Sequence, residues 1–259
     1  MQKKIIDLFR LFYSLSLISL VFSSCASKSE VVYFQDSKGF ETLVDQNTFV
    51  PKFKVDDVVG IHISTLNPEA SLPFNLFRGS TEDGMRPEQV DYIIDKDGEI
   101  DFPVVGKIKI AGLSSEELRE SLRQKLSDYL KDPIINIRLK NFSVTVLGEV
   151  NRPGTYLVNG EQISILEALG LAGDMTIKGI RSNVLVIRDF NGTKVYNRID
   201  LTRKNALKSP VYYLTQNDVI YVEPNQSAIT SSSLDNRATI AISIASILIT
   251  STVILITRN

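Results

Sequence analysis

An α+β chain of two domains ending in a single transmembrane helix is the architecture the sequence predicts, and three observations predict it. Stretches alternating apolar and polar residues are broken by the turn dipeptides Asp97-Gly98, Pro153-Gly154 and Asn191-Gly192, which reads as paired strands. Two Ser-x-x-Glu boxes, Ser114 with Glu117 and Ser164 with Glu167, each precede an apolar stripe at helical spacing. The final run, Ala238 to Thr257, carries no charge and is bordered by Arg237 and Arg258.

The chain's 259 residues, 43% apolar and 23% charged, suffice for two modest domains with real cores. A formal net charge of -1 argues against a nucleic-acid partner, which calls for a basic face. With one histidine, His62, and one cysteine, Cys25, zinc sites of several Cys or His ligands, Cys-His dyads and disulfides are excluded. In "VVGIHIST", Ile61 and Ile63 share one strand face and His62 takes the other, so a solvent-facing or hydrogen-bonded strand histidine is expected rather than a catalytic one. No catalytic residue, cofactor or metal is expected.

The first element is an export signal. Lys3 and Lys4 precede an uncharged apolar stretch from Leu11 to Phe22, too short for a permanent anchor, followed by Ser23, Ser24 and Cys25. Small residues before a lone cysteine form the pattern of a bacterial lipobox, with Phe22 where leucine is usual, so Cys25 is the expected lipidation site. The alternative is simple cleavage nearby with Cys25 left as a free thiol. Two acyl chains suffice for stable anchoring at roughly 0.8 kcal/mol per buried methylene. Ala26 follows the cysteine, so the aspartate of an inner-membrane retention signal is absent. Losing residues 1–24 takes the 29 basic and 30 acidic residues to 26 and 29, a mildly acidic -3.

The body divides near residue 141. Alternation around Asp97-Gly98 in "VDYIIDKDGEIDFPVVGKIKIAGL" predicts a tight hairpin there. Asp95, Asp97 and Asp101 resemble the start of a calcium loop, but the later ligands of that loop are missing. Ser114 caps the next helix, with Leu113 able to staple onto Leu118 and a stripe of Leu118, Leu122, Leu126, Tyr129 and Leu130. Pro133 ends it, and "PIINIRL" places Ile135, Ile137 and Leu139 on one strand face. The second part opens with strand "FSVTVLGEV", turns at "NRPG" and resumes in "TYLV". A short helix from Ser164 through Leu166 and Leu169, a hairpin at Asn191-Gly192 and a last strand "NDVIYV" complete an α+β unit. The shared order of strand, turn, strand and Ser-x-x-Glu helix hints at related β-grasp-like units. "NQSAITSSSLDN" is serine-rich and reads as a linker.

"DYIIDKDGEIDFPVVGKIKIAGLSSEELRESLRQKLSDYLKDPIINIRL" resembles the polysaccharide export domain of Wza-like outer-membrane proteins. "VTVLGEVNRPGTYLV", "ISILEALGLAGD" and "LTQNDVIYVEP" resemble the soluble-ligand-binding β-grasp (SLBB) domain that accompanies it, with Gly148, Arg152, Pro153, Gly154 and Tyr156 in its turn motif. The organisation then reads as signal peptide 1–24, N-terminal segment 25–49, export domain 50–141, β-grasp domain 142–224, linker 225–236 and transmembrane helix 237–258. The resemblance implies a lipid-anchored outer-membrane ring of identical subunits, with periplasmic domains around a cavity and C-terminal segments forming the pore. It further implies capsular or extracellular polysaccharide as substrate and an inner-membrane polysaccharide co-polymerase as partner.

As a helix, residues 238–257 would rise about 30 Å, the thickness of the hydrocarbon core. Seven Ile, two Leu and one Val contribute about -3 to -6 kcal/mol to insertion before the cost of the hydroxyls. Thr239, Ser243, Ser246, Thr250 and Thr257 form a stripe opposite Ile244, Leu248 and Leu255, suited to line water or to pack against a neighbouring helix. The resemblance favours a ring of such helices. A strand is the rival, because "TIAISIA" alternates, but "ILITSTVILI" does not. Two other functions compete: a glycan-binding or scaffold lipoprotein anchored by its tail without forming a channel, and a glycan-processing enzyme with paired carboxylates.

Overall fold

The structure, a computed structural model, describes residues 31–37, 39, 50–79, 87–190, 192–233 and 236–257. The expected signal peptide and Cys25 lie outside the described residues.

The first domain comprises β1 (Val58–Ser64), α1 (Pro68–Ser71), β2 (Phe77–Arg78), β3 (Glu88–Gln89), β4 (Tyr92–Ile93), β5 (Glu99–Phe102), β6 (Gly106–Lys109), α2 (Ser115–Leu126) and β7 (Ile134–Leu139). The alternation of β1 buries Val59, Ile61 and Ile63 completely and leaves His62 exposed opposite Asn136, at the centre of an antiparallel sheet ordered β4-β1-β7. Helix α2 starts at a reciprocal capping box between Ser114 and Glu117, as its sequence predicts, and fully buries Leu118, Leu122 and Leu126. Each such leucine contributes about 1.5–3 kcal/mol by leaving water. Tyr129 departs from the predicted stripe. The helix ends at Leu126, so Tyr129 falls in the following turn, 58% exposed with its ring 5.9 Å from that of Phe74.

The turn at Asp97-Gly98 forms, with Gly98 at φ 78°, but β4 and β5 on either side of it belong to different sheets. The hairpin lies one turn later, where β5 pairs with β6 from Glu99 with Lys109 to Phe102 with Gly106. β4 instead joins β1, because Tyr92 and Ile94 complete the core under that sheet. Asp95 is committed to the turn, its Oδ1 accepting the Asp97 and Glu99 amides at 2.9 and 2.8 Å.

The second domain comprises β8 (Ser143–Gly148), β9 (Gly154–Leu157), β10 (Ile163–Ser164), α3 (Ile165–Leu171), β11 (Val184–Phe190), β12 (Thr193–Ile199), β13 (Tyr213–Leu214) and β14 (Val219–Val222). Its sheet is ordered β12-β11-β14-β8-β9, with the first and last strands, β8 and β14, parallel at the centre and antiparallel hairpins on both sides. This is a β-grasp arrangement, and the first domain, with its β4-β1-β7 sheet, does not share it. The capping box Ser164–Glu167 starts α3, whose Ile165, Ala168 and Leu169 pack into the core beside Val144, Val146, Val186 and Ile220. Gly148, at φ 87°, lets β8 leave the sheet against β14: a Cβ there would sit 2.0 Å from the Val222 carbonyl oxygen.

Two helices follow at the C-terminus, and one expectation there is corrected. The stretch read as a linker contains helix α4 (Gln226–Ser233), where the Asn225 side chain accepts the Ala228 amide at 3.0 Å and three hydroxyls bond back to carbonyls of their own helix. Residues beyond it form helix α5 (Asn236–Thr257) rather than a strand. Among the described residues, however, no helix is long and apolar enough to cross a membrane, which overturns the expected single transmembrane helix. The apolar surface of α5 is interrupted by Ser243, Ser246, Thr250 and Ser251.

Candidate functional site

The chain crosses between domains at Asn141 and Phe142, and side-chain amides stitch the crossing. Asn141 Oδ1 accepts the Val58 amide at 2.9 Å, and its Nδ2 donates to the Asp56 carbonyl at 3.1 Å. Gln216, 7% exposed, donates from Nε2 to the Asn141 carbonyl and accepts the Ser143 amide at Oε1, both at 2.7 Å. Phe142 is buried in the second core, while Leu139 packs against both cores. Each domain therefore has its own core, and hydrogen bonds join them.

Beside this junction lies a cleft of about 750 Å³. The irregular segment before β1 supplies Lys52 and Lys54, and the β11–β12 hairpin supplies Asp189, Phe190 and Lys194. Lys54 is half-buried and reaches across the domain boundary, donating to Thr215 Oγ1 at 3.3 Å and the Gln216 carbonyl at 3.4 Å. Burial lowers its proton affinity, opposed by the nearby Asp218 charge. Lys194 pairs with Asp189 at 2.6 Å and Lys52 with Glu117 at 3.8 Å. Phe190 is 66% exposed at the rim. None of these residues is marked by local spacing. They lie far apart in sequence, and the signal was at most the same-face pair Lys52 and Lys54 in "PKFKV".

The β-grasp turn motif, picked out by resemblance, does structural work. Asn151 and Arg152 dock on the C-terminal end of α3: the Arg152 amide donates to the Ala172 carbonyl at 2.8 Å and its guanidinium reaches the Leu171 carbonyl at 3.4 Å. A cation there also complements the helix dipole. Asn151 Nδ2 donates to the Gly173 carbonyl at 2.7 Å, and the Tyr156 hydroxyl donates to the Arg152 carbonyl. Pro153 and Gly154 turn the chain into β9, so the motif holds the first hairpin to the helix.

The segment 31–37 runs along the second domain, not the first. Phe34 and Gln35 amides donate to the carbonyls of Leu201 and Thr202 at 3.2 and 2.7 Å. The Tyr33 hydroxyl donates to Asp174 Oδ1 at 2.5 Å, and its ring lies 5.3 Å from the guanidinium of Arg181. Burial and then the Asp174 bond push the Tyr33 phenol up. Arg181, 4% exposed, donates to the carbonyls of Met175, Thr176 and Gly179 at 3.1–3.2 Å. A buried cation held by carbonyls and a ring face is a structural fastener.

Of the predicted hydroxyl stripe, the side chains of Thr239 and Thr257 lie outside the described residues. Ser246 donates to the Ser243 carbonyl at 2.7 Å and Thr250 to the Ser246 carbonyl at 2.8 Å, so these hydroxyls are satisfied within their own helix. Among the described residues no group of three or more His, Cys, Asp or Glu side chains is placed to hold a metal ion.

Residues 48–140 match the family described as polysaccharide biosynthesis/export protein, and residues 143–211 match the SLBB domain, the two ranges meeting at the Asn141–Phe142 crossing. Over these ranges the chain carries a polysaccharide biosynthesis/export domain followed by an SLBB domain. Among curated relatives, the EPS I polysaccharide export outer membrane protein EpsA of Ralstonia nicotianae is 31% identical over 131 residues, covering 47% of this chain and 34% of the relative. EpsA of Ralstonia solanacearum is 26% identical over 146 residues, covering 55% of this chain and 38% of the relative. The chain spans about a third of the length of the curated relatives it matches.

Proposed function

We propose that the protein is a subunit of an outer-membrane assembly that exports capsular or extracellular polysaccharide. The observation that carries this reading is the export domain joined directly to an SLBB domain on one chain, in a pairing whose curated relatives are named export outer membrane proteins. The chain is an export component and not an enzyme, and it works at the outer membrane with its domains in the periplasm. Cys25 is the lipid attachment point, identical subunits form a ring around the polysaccharide path, and an inner-membrane polysaccharide co-polymerase delivers the chain to it. This reading assigns no membrane crossing to α5. A strain lacking the protein should retain polysaccharide inside the cell and recover surface polysaccharide on complementation. Undiminished surface polysaccharide in the deletion strain would overturn the proposal.

A glycan-binding or scaffold lipoprotein is the second reading, favoured by the mixed cationic and aromatic lining of the interdomain cleft. Purified protein that binds glycan yet stays monomeric and shows no conductance in planar bilayers would select it.

A further inference from the structure

The cleft between the domains holds a feature that the fold does not require. Among the described residues, Lys54 Nζ has no carboxylate within ion-pair distance, whereas the other lysines of the cleft, Lys52 and Lys194, face Glu117 and Asp189. Its two acceptors are neutral oxygens at 3.3 and 3.4 Å, both long for a charged donor. An ammonium carries three donors, so capacity remains toward the cleft. Its burial is offset by the charges of Asp218, Asp57 and Asp189, none of them within ion-pair distance, and an anion in direct contact would offset it further.

We propose that this cleft binds a carboxylate-bearing sugar residue of the exported polysaccharide, with the carboxylate on Lys54 Nζ and an apolar sugar face on Phe190; this rests on the export reading above. The volume, about 750 Å³, lies within the roughly 300–1,000 Å³ of small-molecule sites. Among the described residues no arginine lines the cleft. The bidentate fork that selects phosphate is therefore missing, and a single ammonium suits a monovalent carboxylate. The exposed ring of Phe190 supplies an apolar platform without a hydrogen-bonding demand of its own. Because Lys54 belongs to the segment before β1 and Phe190 to the β11–β12 hairpin, the site exists only when the two domains are docked.

The test is calorimetric titration of the full chain with tetragalacturonate and with maltotetraose, an acidic and a neutral oligosaccharide of equal length. Tetragalacturonate should bind saturably and more tightly than maltotetraose. Lys54→Gln should weaken the acidic ligand about tenfold, the scale of one charge-assisted hydrogen bond, while Lys54→Arg retains binding. Phe190→Ala, a change at an exposed rim position, should weaken both ligands about threefold to tenfold. No binding of tetragalacturonate at millimolar concentration, or equal affinity for Lys54→Gln, overturns the proposal; if Lys54→Gln fails to fold, unchanged binding in Phe190→Ala does so. Failure here with export lost in the deletion strain removes only the cleft. Binding here with export intact in that strain removes only the export reading.

Discussion

Arg188 grips the fully buried carboxylate of Asp218 with its Nε 3.1 Å from both oxygens and one terminal nitrogen 2.7 Å from Oδ2. The same carboxylate accepts the Thr215 amide at 2.8 Å and its hydroxyl at 3.0 Å. This ion pair fixes the turn before β14, and with it Thr215 and Gln216 at the domain junction. Arg188→Ala would strand a buried charge, and such losses cost about 3–5 kcal/mol. Urea denaturation should show a correspondingly lower midpoint, and a loss below about 1 kcal/mol would mean that the Thr215 contacts suffice.

Gly148→Ala tests the close approach of β8 to β14. A positive φ and a Cβ 2.0 Å from a backbone carbonyl leave no flexible neighbour to yield. A destabilisation of at least about 2 kcal/mol is expected, read by thermal or chemical denaturation. By contrast Gly106→Ala, at a similar positive φ with open space around it, should cost about 1 kcal/mol.

Asp57 gives a pH dependence of defined sign. It is 2% exposed, and burial pushes its carboxyl up to about 6, with the Lys54 amide bond and Lys54 charge opposing. The folded value exceeds the unfolded one, so the native state binds the extra proton. This group's contribution to stability therefore increases as pH falls through about 6 toward the ordinary aspartate range and is lost again as pH rises. Asp57→Asn keeps an acceptor for the Lys54 amide. It should raise stability at neutral pH by about 1–3 kcal/mol and flatten this part of the pH profile.

The N-terminal fastener is tested by two substitutions at Tyr33. Tyr33→Phe removes the 2.5 Å bond to Asp174 and keeps the ring over Arg181, for a loss of about 1 kcal/mol. Tyr33→Ala also uncovers the buried guanidinium and should cost about 3 kcal/mol. Equal losses in denaturation experiments would show that the ring contact contributes nothing.

Local features were legible because they are short-range. The Ser114–Glu117 and Ser164–Glu167 boxes need only four consecutive residues, and the alternation of Val59, Ile61 and Ile63 states which strand face is buried. The pairing of β5 with β6 was not legible, because Asp97-Gly98 is a competent turn wherever its flanking strands go. Tertiary packing of Tyr92 and Ile94 sent β4 to β1 instead. Helix α4 was hidden by serines whose hydroxyls bond back to their own carbonyls.

By itself the sequence determined two cores, their helix starts, the exposed histidine and the likeness to export proteins, since each is written in neighbouring residues or in a colinear pattern. Only the tertiary structure decided that segment 31–37 lies on the second domain and that Lys54 meets Thr215 and Gln216. It also decided that Lys54 and Phe190 line one cleft. Those contacts join positions more than a hundred residues apart, where no periodicity operates and only the docking of two separately folded cores sets the distance.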